Sequence, residues 1–449
     1  MRRVCEADGL GGAGLQIARS DQGRQEGAHR MWILSRYGLE GLSRESWVLF
    51  AIRTLNSFGF SMAMPFFGIY LLETRGVSLA ATGVVYFAAG VLNLGSQLIG
   101  GRLTDAIGPK KVMLAGYATS IVTSSALGLM VLAGASPFLF FVAYPLFSFL
   151  RGFSNPATGS IIAEQPTSQL RPGYNLLTIG GNLGFAIGPA VGGPITDVFG
   201  YSTVFFLSAV IVVPVIVLTL LLIRGGVRHR KDADGAAKRN LTWAKDRNMI
   251  LFLVLTGCLY ICVGYEITPL SLYVADFLSF TNTQIGYLFA TNGLVIVLLQ
   301  LPVIGLFQRS KSIVLPLLIS PLLIAASYLM AGLSTGFLEY EGVMVVLTLG
   351  EILLTVPSQT VVALFSRAGN RGTYQGYYYA AANSGRSLAS AIGPASFQAL
   401  VFAPALGWYA IAAFTISVFL GFTLLGPRVQ RDYEQTIVQD GPGQSPTRS

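Results

Sequence analysis

Residues Gly101–Lys111 read Gly-Arg-Leu-Thr-Asp-Ala-Ile-Gly-Pro-Lys-Lys and interrupt an apolar stretch running from about 79 to 134. One acid and three basic residues stand in a gap of about ten positions, with roughly 20 apolar residues on either side, the length needed to cross a bilayer core. The whole chain has the same character. Of its 449 residues 53% are hydrophobic and 11% charged, and the mean hydropathy is +0.61. Soluble domains carry roughly 25% charged residues, so a chain this long and this apolar belongs in a membrane.

Reading on that length scale gives twelve spans, at approximately 47–73, 79–102, 110–134, 137–163, 174–197, 200–223, 248–275, 282–307, 311–333, 342–366, 372–398 and 404–426. The expected organisation is a polar N-terminal tail (1–46), a six-helix half (47–223), a polar linker (224–247), a second six-helix half (248–426) and a C-terminal tail (427–449). The first 46 residues lack the apolar core of a signal peptide; order is not expected before about Arg30, and Met31 is a candidate start. The net charge is +9, and its placement carries the meaning. Of the 30 Lys and Arg, only Arg75 falls in the loops on the side away from Gly101–Lys111; Arg53, Arg151 and Arg386 fall within spans, and all others lie on the Gly101–Lys111 side. Basic residues stay on the cytoplasmic side. Both termini are therefore expected in the cytoplasm of a multi-pass cell-membrane protein, and the positive charge is a topological signal, not a nucleic-acid patch.

The halves repeat. Arg171 and Tyr174 correspond to Arg371 and Tyr374, and Gly188-Pro189 to Gly393-Pro394. Two copies of a helical unit, with polar residues deep in the spans, suit a transporter that rocks about a central site.

Gly101–Lys111 now falls at the cytoplasmic turn between spans 2 and 3. Taken alone, Lys110 and Lys111 mark the inner side, Gly108-Pro109 makes the turn, and Asp105 is solvated. The stretch also resembles the signature of the major facilitator superfamily, Gly-x-Leu-x-Asp-basic-x-Gly-x-basic-basic. Gly101, Leu103, Asp105, Gly108, Lys110 and Lys111 match, while Ala106 replaces the usual basic residue. A second signature, Gly-x-x-x-Gly-Pro-x-x-Gly-Gly, is met by Gly184, Gly188, Pro189, Gly192 and Gly193 in span 5. It resembles the drug:proton antiporter branch. The resemblance implies an all-α membrane protein of the major facilitator fold, with twelve transmembrane helices in two six-helix pseudo-repeats. It also implies that Asp105, with Gly101, Gly108, Lys110 and Lys111, latches the outward-facing state against the N-terminus of span 11 near Gly372-Thr373. A helix N-terminus attracts a carboxylate by about 0.3–1 kcal/mol. Gly180, Gly184, Gly188 and Gly192 recur every four residues and form one stripe for close helix packing.

Charged residues inside spans are costly and mark function by default. Arg53 lies in span 1, Arg151 in span 4, Glu266 in span 7, Glu351 in span 10 and Arg386 in span 11. In the family the first four of those spans line the cavity. Arg53 either snorkels to the interface or faces the cavity. Arg151 resembles the span-4 arginine linked to proton coupling, although the residues after it depart from the motif. Glu266 and Glu351 are either static hydrogen-bonded groups or titrating and substrate-binding ones, with Arg151 facing them across the cavity. Arg386 is expected to be structural, paired with a helix end or a carboxylate. Asn56 and Asn155 are further candidates for substrate contact. Cys258 and Cys262, four apart in an apolar run, read as packed thiols, and both histidines, His29 and His229, lie outside the spans.

The expected function is secondary active transport by alternating access, without enzyme activity, cofactor or metal. The first reading is proton-coupled antiport, the efflux of small amphipathic compounds by a monomer in the lipid bilayer, with protons and a small-molecule substrate as partners and no nucleic acid. The alternative is transport of a defined metabolite or organic anion in either direction. A non-transporting membrane sensor is the third reading, for which no output domain is visible.

Overall fold

The computed structural model describes residues 42–163, 165–223, 247–308, 312–365 and 371–439. Nearly all of the expected linker, most of the N-terminal tail and the last ten residues of the C-terminal tail lie outside them, as do Met31 and both histidines. The described chain is helical: α1 (Arg44–Ile69, ending in a π-turn Tyr70–Thr74), α2 (Leu79–Ile107), α3 (Pro109–Leu132), α4a (Pro137–Gly152), α4b (Ser154–Ala163), α5 (Thr167–Phe199) and α6 (Tyr201–Leu222). The second half holds α7a (Arg247–Gly264), α7b (Thr268–Asp276), α8 (Asn282–Gln308), α9 (Val314–Leu333), α10 (Phe337–Phe365), α11 (Arg371–Ala399) and α12 (Ala405–Gln439). Counting the broken α4 and α7 once each, these correspond to the twelve expected spans, with α12 continuing as helix well past 426.

Local chemistry sets the helix ends. Ser43 caps α1 by accepting from the Ser46 N–H at 3.1 Å, and Ser78 caps α2 by accepting from the Ala81 N–H at 3.3 Å. Such caps satisfy N–H groups that have no partner within the helix. Pro109 and Pro137 start α3 and α4a, where a missing N–H costs nothing. The Gly101–Lys111 stretch differs from the expected loop. Helix α2 runs through Asp105 to Ile107, and the whole turn is one residue, Gly108 at φ +90°. Only glycine takes that conformation without strain, so the chain can leave one helix and enter the next in a single step.

Eleven of the helices are long and apolar enough to cross a membrane. Helix α11 is long but too polar over "QGYYYAAANSGRS", whose Tyr378, Ala382 and Gly385 are buried and whose Arg386 and Ser387 line a cavity. Elsewhere the outer surface is apolar: Leu98, Val122, Leu221, Leu333 and Leu424 are strongly exposed, as side chains against lipid tails would be.

The two halves repeat in packing as well as in sequence. Helix α1 packs on α5 and α6, α2 on α4a, and α3 on α6; correspondingly α7a packs on α11 and α12, α8 on α10, and α9 on α12. Between the halves α5 meets α8 and α2 meets α11. That contact is confined to the end of the bundle carrying Ser78. There, Cβ atoms placed on Gly83 or Gly90 of α2 would collide with Ser390 or Ser387 of α11, and those placed on Gly286 or Gly293 of α8 with Pro189 or Ala186 of α5. Towards the Asp105 end, Gly95 and Gly101 of α2 and Gly376 of α11 have nothing within 4 Å of such an added atom. The halves are closed at the Ser78 end and splayed at the Asp105 end.

Candidate functional site

Two cavities lie between the halves. The smaller, about 260 Å³, is centred on Glu266 and Glu351. Glu266 stands where α7 breaks: Pro269 has no N–H to give the Tyr265 carbonyl and its ring crowds that oxygen, so residues 265–267 form a turn between α7a and α7b. The Leu270 N–H takes the Tyr265 carbonyl instead, at 2.9 Å. An aromatic wedge supports the break. Tyr328 donates to the Cys262 carbonyl and stacks on the fully buried Trp408, whose ring also meets Tyr265 and Tyr273. Glu266 is 5% exposed, and its carboxylate has no hydrogen-bond partner among the described residues. It faces the same cavity as Asn182, Asn292 and Glu351. Asn292 donates to Thr348 at 3.1 Å, which fixes its amide.

Glu351 accepts from Arg386 Nη2 at 3.1 Å, so of the two partners expected for Arg386, a helix end or a carboxylate, the structure has the carboxylate. The Arg386 guanidinium lies 4.5 Å from the Tyr260 ring centre, and Tyr260 and Tyr378 share a hydrogen bond of 2.7 Å. Arg386 is therefore held by a carboxylate and by an aromatic face. Its side chain is 33% exposed, against 17% for Glu351, and that exposure is to the cavities, both of which Arg386 lines.

The larger cavity, about 390 Å³, is built mostly from the first half. Arg53, Asn56, Asn155 and Arg151 all line it. Arg53 donates from Nη1 to Asn155 Oδ1 at 2.9 Å and rests against Gly181, so it faces inward and does not snorkel to the interface. Arg151 lies 4.3 Å over the Phe60 ring. The size is that of a pocket for a drug-sized molecule. The thiols Cys258 and Cys262 belong to the packing of α7a, Cys262 donating to the Cys258 carbonyl at 3.5 Å.

The span-5 glycines divide between two faces of α5. Gly184, Gly188 and Gly192 lie against the α1 backbone from Thr54 to Met62, where an added Cβ would meet main-chain atoms. Ser57 and Ser61 donate to the carbonyls of Gly181 and Gly184, at 2.7 and 3.2 Å. Gly193, with Pro189, faces α8 of the other half. At that end Asp197 accepts from the Asn282 and Thr283 N–H groups, at 3.2 and 2.8 Å, and from the Thr283 hydroxyl at 2.6 Å. A carboxylate from one half thus caps the N-terminus of α8 in the other. Asp105 is exposed and has no such partner among the described residues. Lys110 donates to the Leu220 carbonyl at 2.9 Å, at the C-terminus of α6. Asn182 in the smaller cavity and Asp197 at the junction of the halves are the positions that the sequence did not bring out, whereas a carboxylate partner for Arg386 was among its expectations. Asn182, polar on a glycine-rich span, was the one visible signal.

Twelve helices in two repeated halves, meeting at one end and enclosing polar cavities, define a membrane transporter. Residues 49–394 match the model of the Major Facilitator Superfamily, and the chain belongs to that superfamily. It is similar to the MFS-type transporter YttB of Bacillus subtilis, with 25% identity over 76% of this chain and 85% of that one. It is also similar to the multidrug resistance protein MdtG of Escherichia coli, with 27% identity over 64% of this chain and 72% of that one. Among solved structures, a POT family transporter in complex with 5-aminolevulinic acid superposes with a TM-score of 0.70 at 16% identity, over 88% of this chain and 98% of that one. The nucleoside transporter NupG superposes at 0.69 with 14% identity, over 85% and 100%.

Proposed function

We propose that this chain is a proton-coupled exporter of small amphipathic compounds in the cell membrane, with both termini and the Asp105 end in the cytoplasm. The observation that carries the reading is the smaller cavity, where two carboxylates, Glu266 and Glu351, stand against a single guanidinium, Arg386. With both acids ionised the cavity has one uncompensated negative charge, which is costly in a medium of low polarisability. One proton balances it. Arg386 lines the substrate-sized cavity as well, so a change in that balance acts on the wall of the larger site. Likeness to multidrug resistance proteins supports export as the direction. In this orientation the structure is the inward-facing state, and Asp105 awaits the N-terminus of α11 in the other state.

The test is transport in proteoliposomes. One proton crossing 100 mV is worth about 2.3 kcal/mol, enough for roughly a 50-fold gradient at 1.36 kcal/mol per decade. Glu266→Gln and Glu351→Gln are each expected to abolish gradient-driven accumulation and flatten its pH profile while leaving substrate exchange. If both variants accumulate substrate like the parent, the carboxylates are structural. Topology has its own check: reporters fused at Ser78 and Phe337 should read external, and a cytoplasmic signal at either would reverse the assignment.

A further inference from the structure

The larger cavity contains more positive charge than its protein surroundings balance. Among the described residues the single ion pair is Arg386–Glu351. No carboxylate lines the larger cavity, yet Arg53 and Arg151 both do. Arg53 gives one N–H to Asn155. Arg151 has no hydrogen-bond acceptor among the described residues; it lies over the Phe60 ring, with the Tyr144 hydroxyl within electrostatic reach. A guanidinium has five N–H groups in a planar fork suited to an oxyanion, and both side chains line the cavity with no carboxylate to receive them. Asn155 lies four residues beyond Arg151 across the short break at Phe153, so the Arg53–Asn155 bond ties Arg53 to the α4 wall that also carries Arg151. Towards the Ser78 end the wall becomes apolar and aromatic, at Met64, Tyr86 and Tyr144.

We infer that the missing counter-charge is the substrate's own, and that the cavity takes amphipathic organic anions. A carboxylate or phosphonate headgroup sits between Arg53 and Arg151, and the apolar tail lies along Met64, Tyr86 and Tyr144. Lipophilic cations are disfavoured, because they would add a third charge of the same sign. This inference rests on the reading of the larger cavity as the transport site and narrows its substrate class. It also separates the tasks of the two halves, with substrate charge met by arginines of the first and proton charge by carboxylates of the second.

The test is equilibrium binding to the purified full chain, which needs no gradient. The probes share one skeleton: phenylbutyrate, phenylbutyramide and phenylbutyltrimethylammonium. Phenylbutyrate is expected to bind roughly ten-fold or more tightly than either of the others, the difference that one good charge-assisted contact makes. Arg151→Gln and Arg53→Gln should each reduce its affinity to that of the amide, and Arg151→Lys should restore part of it. Should a glutamine variant fail to fold, the ranking of the three probes on the parent protein still decides. Equal affinity for carboxylate and amide, a preference for the cation, or no saturable binding of phenylbutyrate overturns the inference. Failure of proton coupling with the anion ranking intact would overturn the coupling alone, and coupled export of the cation without anion binding would do the reverse.

Discussion

Arg386→Met is expected to destabilise the protein by about 3 kcal/mol, the lower end of what breaking a buried ion pair costs. Two features set the size. The substitution leaves Glu351 without its 3.1 Å partner, next to Glu266 in the same cavity, so two acids remain with no cation. It also removes the guanidinium from the Tyr260 face. The lower end applies because 33% of the Arg386 side chain faces cavity space, where water screens part of the loss. A second substitution gives the claim its edge. Removing both charged partners is often neutral or stabilising, since the cost lies in the orphaned charge. Arg386→Met combined with Glu351→Leu should therefore recover most of the lost stability in detergent, although transport stays lost. Acidification should likewise rescue Arg386→Met, because protonating an orphaned carboxylate removes its charge. A single variant that melts like the parent at neutral pH would show that the pair contributes nothing to the fold.

Spans, halves and the family were legible in the sequence because each rests on periodic or compositional signals: apolar length, basic residues on one side, and two glycine-bearing signatures. Details that depend on depth and rotation were not. Arg386 was expected to be structural and paired with a helix end or a carboxylate; which carboxylate, and that the side chain lines both cavities, no linear reading says. Arg151 was expected to face the acids across the cavity, and depth alone does not say that it lies over Phe60 in the wall of the larger one. The turn at Gly101–Lys111 was read as a loop because it is charged, yet Arg102, Leu103 and Asp105 are helical. Charge marks where a helix leaves the bilayer, not where it ends. The polar helix α11 was counted among the twelve spans on the same length scale as the others, whereas hydropathy leaves it out of the apolar set among the described residues. Asp197 gave no signal at all: an acid at a helix end is ordinary until the opposing half brings the Asn282 and Thr283 N–H groups to it.

The interface between the halves supplies the second large effect. Gly83 and Gly90 on α2 are seven residues apart, two helical turns, and so are Gly286 and Gly293 on α8, the corresponding helix of the other half. Each pair makes one flat strip, and each strip lies against the proline-bearing helix opposite: α11 with Pro394, α5 with Pro189. A Cβ on Gly286 would meet the Pro189 carbonyl, with its carbon at 3.1 Å and the Ala190 Cα at 3.5 Å. These are main-chain atoms of a packed helix and cannot swing aside. Overpacking of this kind costs about 1–3 kcal/mol, and Gly286→Leu, with a branched side chain against backbone, should reach about 3 kcal/mol. The strip is in contact only while the Ser78 end is closed, so the cost falls on one state, and a cost on one state alone moves a population. About 3 kcal/mol is a factor of roughly 150 in the equilibrium between states. Gly286→Leu should therefore insert and fold normally but stand open at the Ser78 end, with transport nearly abolished. Two cysteines placed at Ala80 and Gln398, which meet there through a 2.8 Å hydrogen bond, should cross-link readily in the parent background and poorly with Gly286→Leu. The contrast is Gly184→Leu, on the opposite face of α5, where the added side chain meets the α1 backbone inside one half. That contact persists in both states if each half moves as a unit, so Gly184→Leu should lower expression and melting temperature instead of shifting the cross-link. Equal effects from the two substitutions, or an unchanged cross-link with Gly286→Leu, would mean that the glycine strips pack the helices without setting which end is closed.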